Sequence, residues 1–209
     1  MYDFKPIADA LIACDKPKVL ELVQSALDRG VAAKEILNDG LIAGMDIVGE
    51  KMENEDMFIP EVLMAAKAMG AAVNILKPLL AATDMKARGK VVIGTVRGDL
   101  HDIGKNLVAM MLESAGFEVH NLGVDISADK FIEEISVNNA EILCLSALLT
   151  TTMPMMKETI DQVVEKGLRD KVKILVGGAP VTQNFADKIG ADGYAPDAGS
   201  AVKLAKALL

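Results

Sequence analysis

The sequence predicts an α/β chain in two parts, a helical module followed by a doubly wound parallel sheet. Three observations predict it. Before residue 80, apolar residues recur at helical spacing with no strand signal. After residue 90, short β-branched runs alternate with helical patterns, which specifies parallel strands with helices on both faces. A polar stretch, residues 83–89, separates the two regimes.

In the first part, two short helices up to about Arg29 are split by Asp15-Lys16-Pro17. Val19, Leu20, Leu22, Val23 and Leu27 form a stripe, and Gly30 is a C-cap. Between residues 33 and 53, Leu37, Leu41, Met45, Val48 and Met52 repeat at near-helical spacing, while Gly40 and Gly44 thin one face for close helix approach. A fourth helix starts near Pro60 with Glu61 in its first turn and presents Leu63, Ala66, Met69, Gly70, Val73 and Leu76 before fading near Thr83. Four helices with short connections predict a four-helix bundle over residues 1–84. A linker follows at 85–89 and the α/β domain at 90–209.

In that second domain the strands are expected at 90–96, 117–122, 141–146, 173–177 and 191–195. The helices are expected at 104–115, 128–138, 154–167, 182–189 and 199–208. Five strands with alternating helices predict a flavodoxin-like order, 2-1-3-4-5.

Composition narrows the function. A chain of 209 residues with 51% hydrophobic content can bury a core without staples. Cys14 and Cys144 lie in apolar runs at no metal-ligand spacing, which predicts buried thiols in a reducing compartment. The N-terminus carries no basic region followed by an apolar one, so a cytoplasmic location is expected. The longest apolar-looking run, residues 142–156, contains hydroxyls and Pro154 and reads as a core strand entering a loop, so no membrane span is expected. A net charge of -8 with 3% aromatic residues argues against a nucleic-acid surface.

The chemistry gathers at the expected carboxyl ends of the strands. Asp99-Leu100-His101-Asp102-Ile103-Gly104 puts one of only two histidines in the loop after the first strand, where open α/β sheets bind ligands. A loop histidine can be a surface residue, an acid–base group or a metal ligand. Asp99, two residues earlier, can accept from Nδ1–H and leave Nε2 free. Two histidines and two cysteines in unrelated elements do not suit zinc. The glycine spacing of a Walker loop is absent. A receiver-type phosphorylation site would need an acidic cluster, for which Asp99 and Asp102 are a weak basis. The hydroxyls Ser146, Thr150, Thr151 and Thr152 follow the third strand, where helix capping ahead of Pro154 is the plainest use. Gly177-Gly178 follows the fourth, where it can make a turn or admit a ligand close to the backbone.

Asp99-x-His101-x-x-Gly104, Ser146-x-Leu148 and Gly177-Gly178, in that order, resemble the cobalamin-binding signature of corrinoid proteins. Residues 38–45 and 57–63 resemble the cap of cobalamin-dependent methionine synthase. Both modules together are similar to the small corrinoid proteins of methanol, methylamine and methoxyarene methyltransferase systems. The resemblance implies that His101 is the lower axial cobalt ligand, held by Asp99, in place of the cofactor's dimethylbenzimidazole. The displaced tail would enter a slot lined by Gly104, Ser146, Thr150, Gly177 and Gly178. Ala198 matches a further tail position, and Asp102, Ile103 and Leu148 belong to the same loops. Thr152 stands where methionine synthase has a serine that extends the His–Asp pair. Phe58, with the Met- and Leu-rich bundle, would shield the upper face.

The implied function is a methyl carrier cycling between Co(I) and methyl-Co(III), a non-catalytic subunit rather than a complete enzyme. Its partners would be a substrate:corrinoid methyltransferase, a second methyltransferase acting toward tetrahydrofolate or coenzyme M, and an ATP-dependent reductive activator. Residues 83–89 would be the hinge that lets the cap move. A cobalamin-dependent sensor is the alternative. It usually adds a DNA-binding segment, and light-sensing forms a cap tryptophan; the sequence has no tryptophan. The small subunit of an adenosylcobalamin mutase would share Asp-x-His-x-x-Gly but not the cap.

Overall fold

The computed structural model describes residues 2–80 and 87–209, which form two compact units. The expected boundary at residue 84, the fading of the fourth helix near Thr83 and the start of the linker lie outside the described residues.

The first unit is helical. α1 (Lys5–Ile12) and α2 (Lys16–Asp28) both start with proline in the first turn, and the Asp15 carboxylate caps α2 by accepting from the Lys18 N–H. α3 (Ala33–Glu35) is one turn that runs into a π-helical stretch, Ile36–Ile42, and then into α4 (Ala43–Glu53). Helical spacing predicts this segment but not its widened turn, because a π-type turn carries no composition signal of its own. α5 (Ile59–Leu80) packs on α2 and α4, while α1 packs on α2 and α4, closing a four-sided bundle.

Gly40 and Gly44 make the close approach expected of them: a Cβ on Gly44 would lie 3.1 Å from the Ala8 Cα. The buried face of α5 is Val62, Ala65, Ala66, Ala68, Met69, Ala72 and Leu76. It is rotated from the expected stripe, leaving Gly70 exposed and Leu63 and Val73 half-buried, because alanines set the contact distance here. α5 is long and apolar enough to cross a membrane by length and composition; in this bundle its buried face is core.

The second unit is built on a five-stranded parallel sheet, β1 (Lys90–Thr95), β2 (Glu118–Asn121), β3 (Ile142–Ser146), β4 (Lys173–Gly177) and β5 (Gly193–Tyr194), ordered β2-β1-β3-β4-β5 as expected. β1, β3 and β4 are buried runs of Val, Ile and Leu, as central parallel strands must be. The helices are α6 (Ile103–Ser114), α7 (Ala128–Asn138), α8 (Pro154–Glu165), α9 (Gln183–Ile189) and α10 (Ala198–Leu208). The run 142–156 becomes β3, a loop and the start of α8. Thr95, Ser146 and Gly177 are register partners, so the last residues of β1, β3 and β4 form one row. The loops carrying the sequence motifs therefore leave from one edge. The strand order reverses between β1 and β3, so this edge includes the switch point where such sheets bind ligands.

Candidate functional site: a braced histidine at the switch point

The β1–α6 loop turns Asp99 inward and His101 outward. Asp99 is fully buried, while the His101 side chain is 50% exposed. Asp99 Oδ1 lies 2.7 Å from His101 Nδ1 and accepts the His101 backbone N–H at 3.1 Å. Oδ2 accepts from the Leu148 and Leu149 N–H groups at 2.8 and 3.2 Å and from the Thr152 hydroxyl at 2.7 Å. Five donors thus converge on one carboxylate. Burial alone would push its pKa up, but the hydrogen bonds from Thr152, His101 and Leu148 outweigh it in sum and hold the carboxyl well below the usual carboxylate range. An ionised carboxylate only accepts, so the proton of the neutral imidazole sits on Nδ1 and Nε2 presents its lone pair outward. The Thr95 hydroxyl, itself buried, donates to the His101 carbonyl at 2.8 Å and fixes the backbone too.

The hydroxyls after β3 divide. Thr152 is buried and serves Asp99, whereas Thr150 is exposed and Ser146 half-buried. Capping does not explain Thr152, because the α8 N-cap is Met153, with no side-chain cap. Gly178 has φ +129°, and a Cβ there would sit 1.9 Å from the Ala147 carbonyl oxygen, so only glycine lets the β4 loop lie on the β3 loop. A Cβ on Gly177 would be 3.1 Å from the Ala195 carbonyl oxygen.

Other expected site residues do less at His101. The Asp102 carboxylate accepts from Asn106 Nδ2 at 2.9 Å, in the first turn of α6. Ile103 is exposed and a Cβ on Gly104 would meet nothing within 4 Å, leaving open surface beside the histidine. Ala198 is buried at the start of α10, behind the Asp197 cap. Phe58 belongs to the helical unit; it is 68% exposed, and its N–H donates to Glu61 Oε2 at 2.8 Å, so Glu61 caps the start of α5.

Residues overlooked in the sequence include Thr95, Lys105, Asn121 and Asp125. Lys105 is buried with its Nζ 2.6 Å from Asn106 Oδ1 and 2.7 Å from Asn121 Oδ1, and burial lowers its pKa. A lysine in the first turn after the motif was the available signal. Nothing short-range ties it to an asparagine at the end of β2.

A corrinoid brings its own cobalt and would take a single nitrogen donor from the protein in place of its own base. The donor set here fits that need: a single imidazole nitrogen is fixed in tautomer and orientation. Leu100 and Ile103 are among the most exposed large apolar side chains of the described residues, with Leu148 and Leu149 exposed beside them, offering a broad, partly apolar group a surface to cover. Gly177 and Gly178 keep the neighbouring loops free of side chains.

Comparison with known proteins agrees. Residues 89–203 match the family described as B12 binding domain, and residues 4–77 match a second family of the same description. The dimethylamine corrinoid protein 3 of Methanosarcina acetivorans is 49% identical over 97% of this chain and 95% of its own length. A cobalamin-binding protein from Desulfitobacterium hafniense superposes with a TM-score of 0.86 at 34% identity, covering 99% of this chain and 98% of that one. The methanol:cobalamin methyltransferase complex of Methanosarcina barkeri gives 0.85 at 33% identity, covering 97% and 78%. The chain belongs to the B12-binding corrinoid proteins of methyltransferase systems, and its cofactor is a corrinoid.

Proposed function

We propose that this chain is the methyl-carrying subunit of a methylamine methyltransferase system, with dimethylamine the favoured donor class and His101 the axial ligand. The carrying observation is the chain Thr152–Asp99–His101, two contacts of 2.7 Å that aim one imidazole nitrogen outward from the switch point. The donor class is supported by the dimethylamine corrinoid proteins among its relatives, 48–50% identical over 97% of this chain. The partners are a substrate:corrinoid methyltransferase, supported by the complex named above, a second methyltransferase and an ATP-dependent reductive activator.

When bound, the corrinoid supplies a cobalt centre that takes a methyl group from the donor and yields it to the acceptor. The residues of this chain tune and orient. Asp99 keeps the proton on Nδ1 and the charge of the pair low in energy, Thr152 and the Leu148 and Leu149 amides stabilise that charge, and Thr95 holds the loop. The slot for the cofactor tail is assigned to Gly104, Ser146, Thr150, Gly177 and Gly178, with Ala198 at its end. Phe58 is assigned to the shielding of the cofactor, and the hinge expected at residues 83–89 falls largely outside the described residues.

The test is reconstitution with methylcobalamin. Wild-type protein is expected to show the absorption of a histidine-ligated corrinoid, and His101→Ala that of a corrinoid without a protein ligand. An unchanged spectrum in the variant removes His101 as ligand. Failure of reduced holoprotein to accept methyl groups from dimethylamine with its methyltransferase, while another donor system succeeds, removes the donor assignment.

A further inference from the structure

We propose that Asp125 is a positioning residue for the Asp99–His101 pair, clasping the β1–α6 loop on the flank opposite Thr152; this rests on the reading of His101 as the cobalt ligand. Asp125 lies between β2 and α7, outside every motif discussed above. By composition it is a solvated loop acid, and its side chain is indeed exposed. Its hydrogen bonds are nevertheless tertiary and reciprocal. Oδ1 accepts the Gly98 N–H at 2.7 Å across 27 residues, and the Asp125 N–H donates to the Asp99 carbonyl at 3.0 Å. The clasp therefore closes on both sides of the Gly98–Asp99 segment.

The surrounding ladder explains why this bears on the histidine. Thr95 N–H donates to the Gly123 carbonyl and Ile126 N–H to the Thr95 carbonyl, each at 3.0 Å, and Val96 bridges Ile126. On the β3 side, Val96 N–H donates to the Ser146 carbonyl at 3.0 Å. Beyond Val96 the β3 side holds Asp99 through its carboxylate, whereas the β2 side holds it through its backbone. Aspartate has a short side chain, so its carboxylate meets His101, two amides and Thr152 together only if its Cα is fixed, and the clasp fixes it. Asp125 adopts φ +57° to do so, a left-handed conformation that aspartate tolerates better than most residues.

Two substitutions separate the hydrogen bond from the backbone conformation. Asp125→Gly removes the acceptor while suiting the positive φ, and Asp125→Asn retains an acceptor oxygen of the same shape. In the apoprotein, NMR hydrogen exchange at the Gly98 amide is expected to quicken by about tenfold or more in the glycine variant, as loss of a bond to a charged acceptor implies. Exchange of the His101 ring N–H should quicken with it, and β4 amides should be unaffected. Loaded with methylcobalamin, the same variant should lose part of the histidine-ligated spectrum, and Asp125→Asn should restore both properties. The proposal is overturned if the glycine variant matches wild type in either reading, if asparagine fails to rescue, or if β4 loses protection equally. Absence of a histidine-ligated spectrum in wild type would instead defeat the ligand assignment, and the exchange rates of the apoprotein would still decide whether the clasp positions the loop.

Discussion

Replacing Thr152 by valine removes one hydroxyl from a nearly isosteric side chain. Thr152 is 6% exposed, and its hydroxyl lies 2.7 Å from a fully buried, ionised carboxylate. Hydrogen bonds to charged groups contribute roughly 1.5–3 kcal/mol, and valine refills most of the volume, so the expected loss sits in that range with little cavity cost. Four backbone and imidazole donors remain on Asp99, which keeps the loss below that of an abandoned charge. The assay is urea unfolding of the apoprotein followed by a probe in the sheet unit, where about 2 kcal/mol moves the midpoint by about 1 M at typical slopes. Thr152→Ser should recover most of it. A double-mutant cycle with Asp99→Asn isolates the pair and should give a coupling of about 1 kcal/mol or more. A valine variant within about 0.5 kcal/mol of wild type, or a coupling of zero, would refute the claim that Thr152 stabilises the carboxylate.

The Asp99 carboxyl is held below its ordinary 3.8. Its contribution is present above about pH 4 and is lost as pH falls further toward the folded value; acid unfolding curves of Asp99→Asn should therefore be flatter than wild type below about pH 4. Burial pushes the Cys144 thiol from 9.0 up to about 12, so the folded state holds this proton longer than the unfolded chain. Stability should fall above about pH 9 by roughly 1.4 kcal/mol per pH unit from this group, and Cys144→Ala should remove that slope in pH-dependent denaturant titrations. Alkylation at pH 8 should label the half-buried Cys14 well before Cys144. Gly178→Ala places a methyl against the Ala147 carbonyl at a positive φ and should cost at least about 2–3 kcal/mol by thermal unfolding. An unchanged melting temperature would show that the two loops can separate freely.

Much of the architecture was legible because it is written in local period. Runs of valine, isoleucine and leucine marked β1, β3 and β4, the alternation with helical patterns marked β2 and β5, and the single switch from helical to strand spacing separated the two parts. Asp99, His101 and the Gly177-Gly178 pair were legible because each breaks the pattern of the strand before it. The π-helical stretch at Ile36–Ile42, the rotated alanine face of α5 and the two-residue length of β5 were not, since each depends on which neighbour packs there.

The sequence by itself determined the order of the elements, the corrinoid signature and the chemical types at the loop ends, because periodicity and residue chemistry are properties of short windows. Only the tertiary structure decided which groups meet. It put the Thr152 hydroxyl, which the resemblance places beside the pair, on Asp99 rather than at a helix cap, turned Asp102 toward Asn106 in α6, joined Asp125 to the Gly98–Asp99 segment and brought Asn121 to Lys105 at the start of α6. The physical reason is that hydrogen bonds spanning 16 to 53 residues become contacts only once the parallel register of β1, β2 and β3 has placed their carboxyl ends side by side.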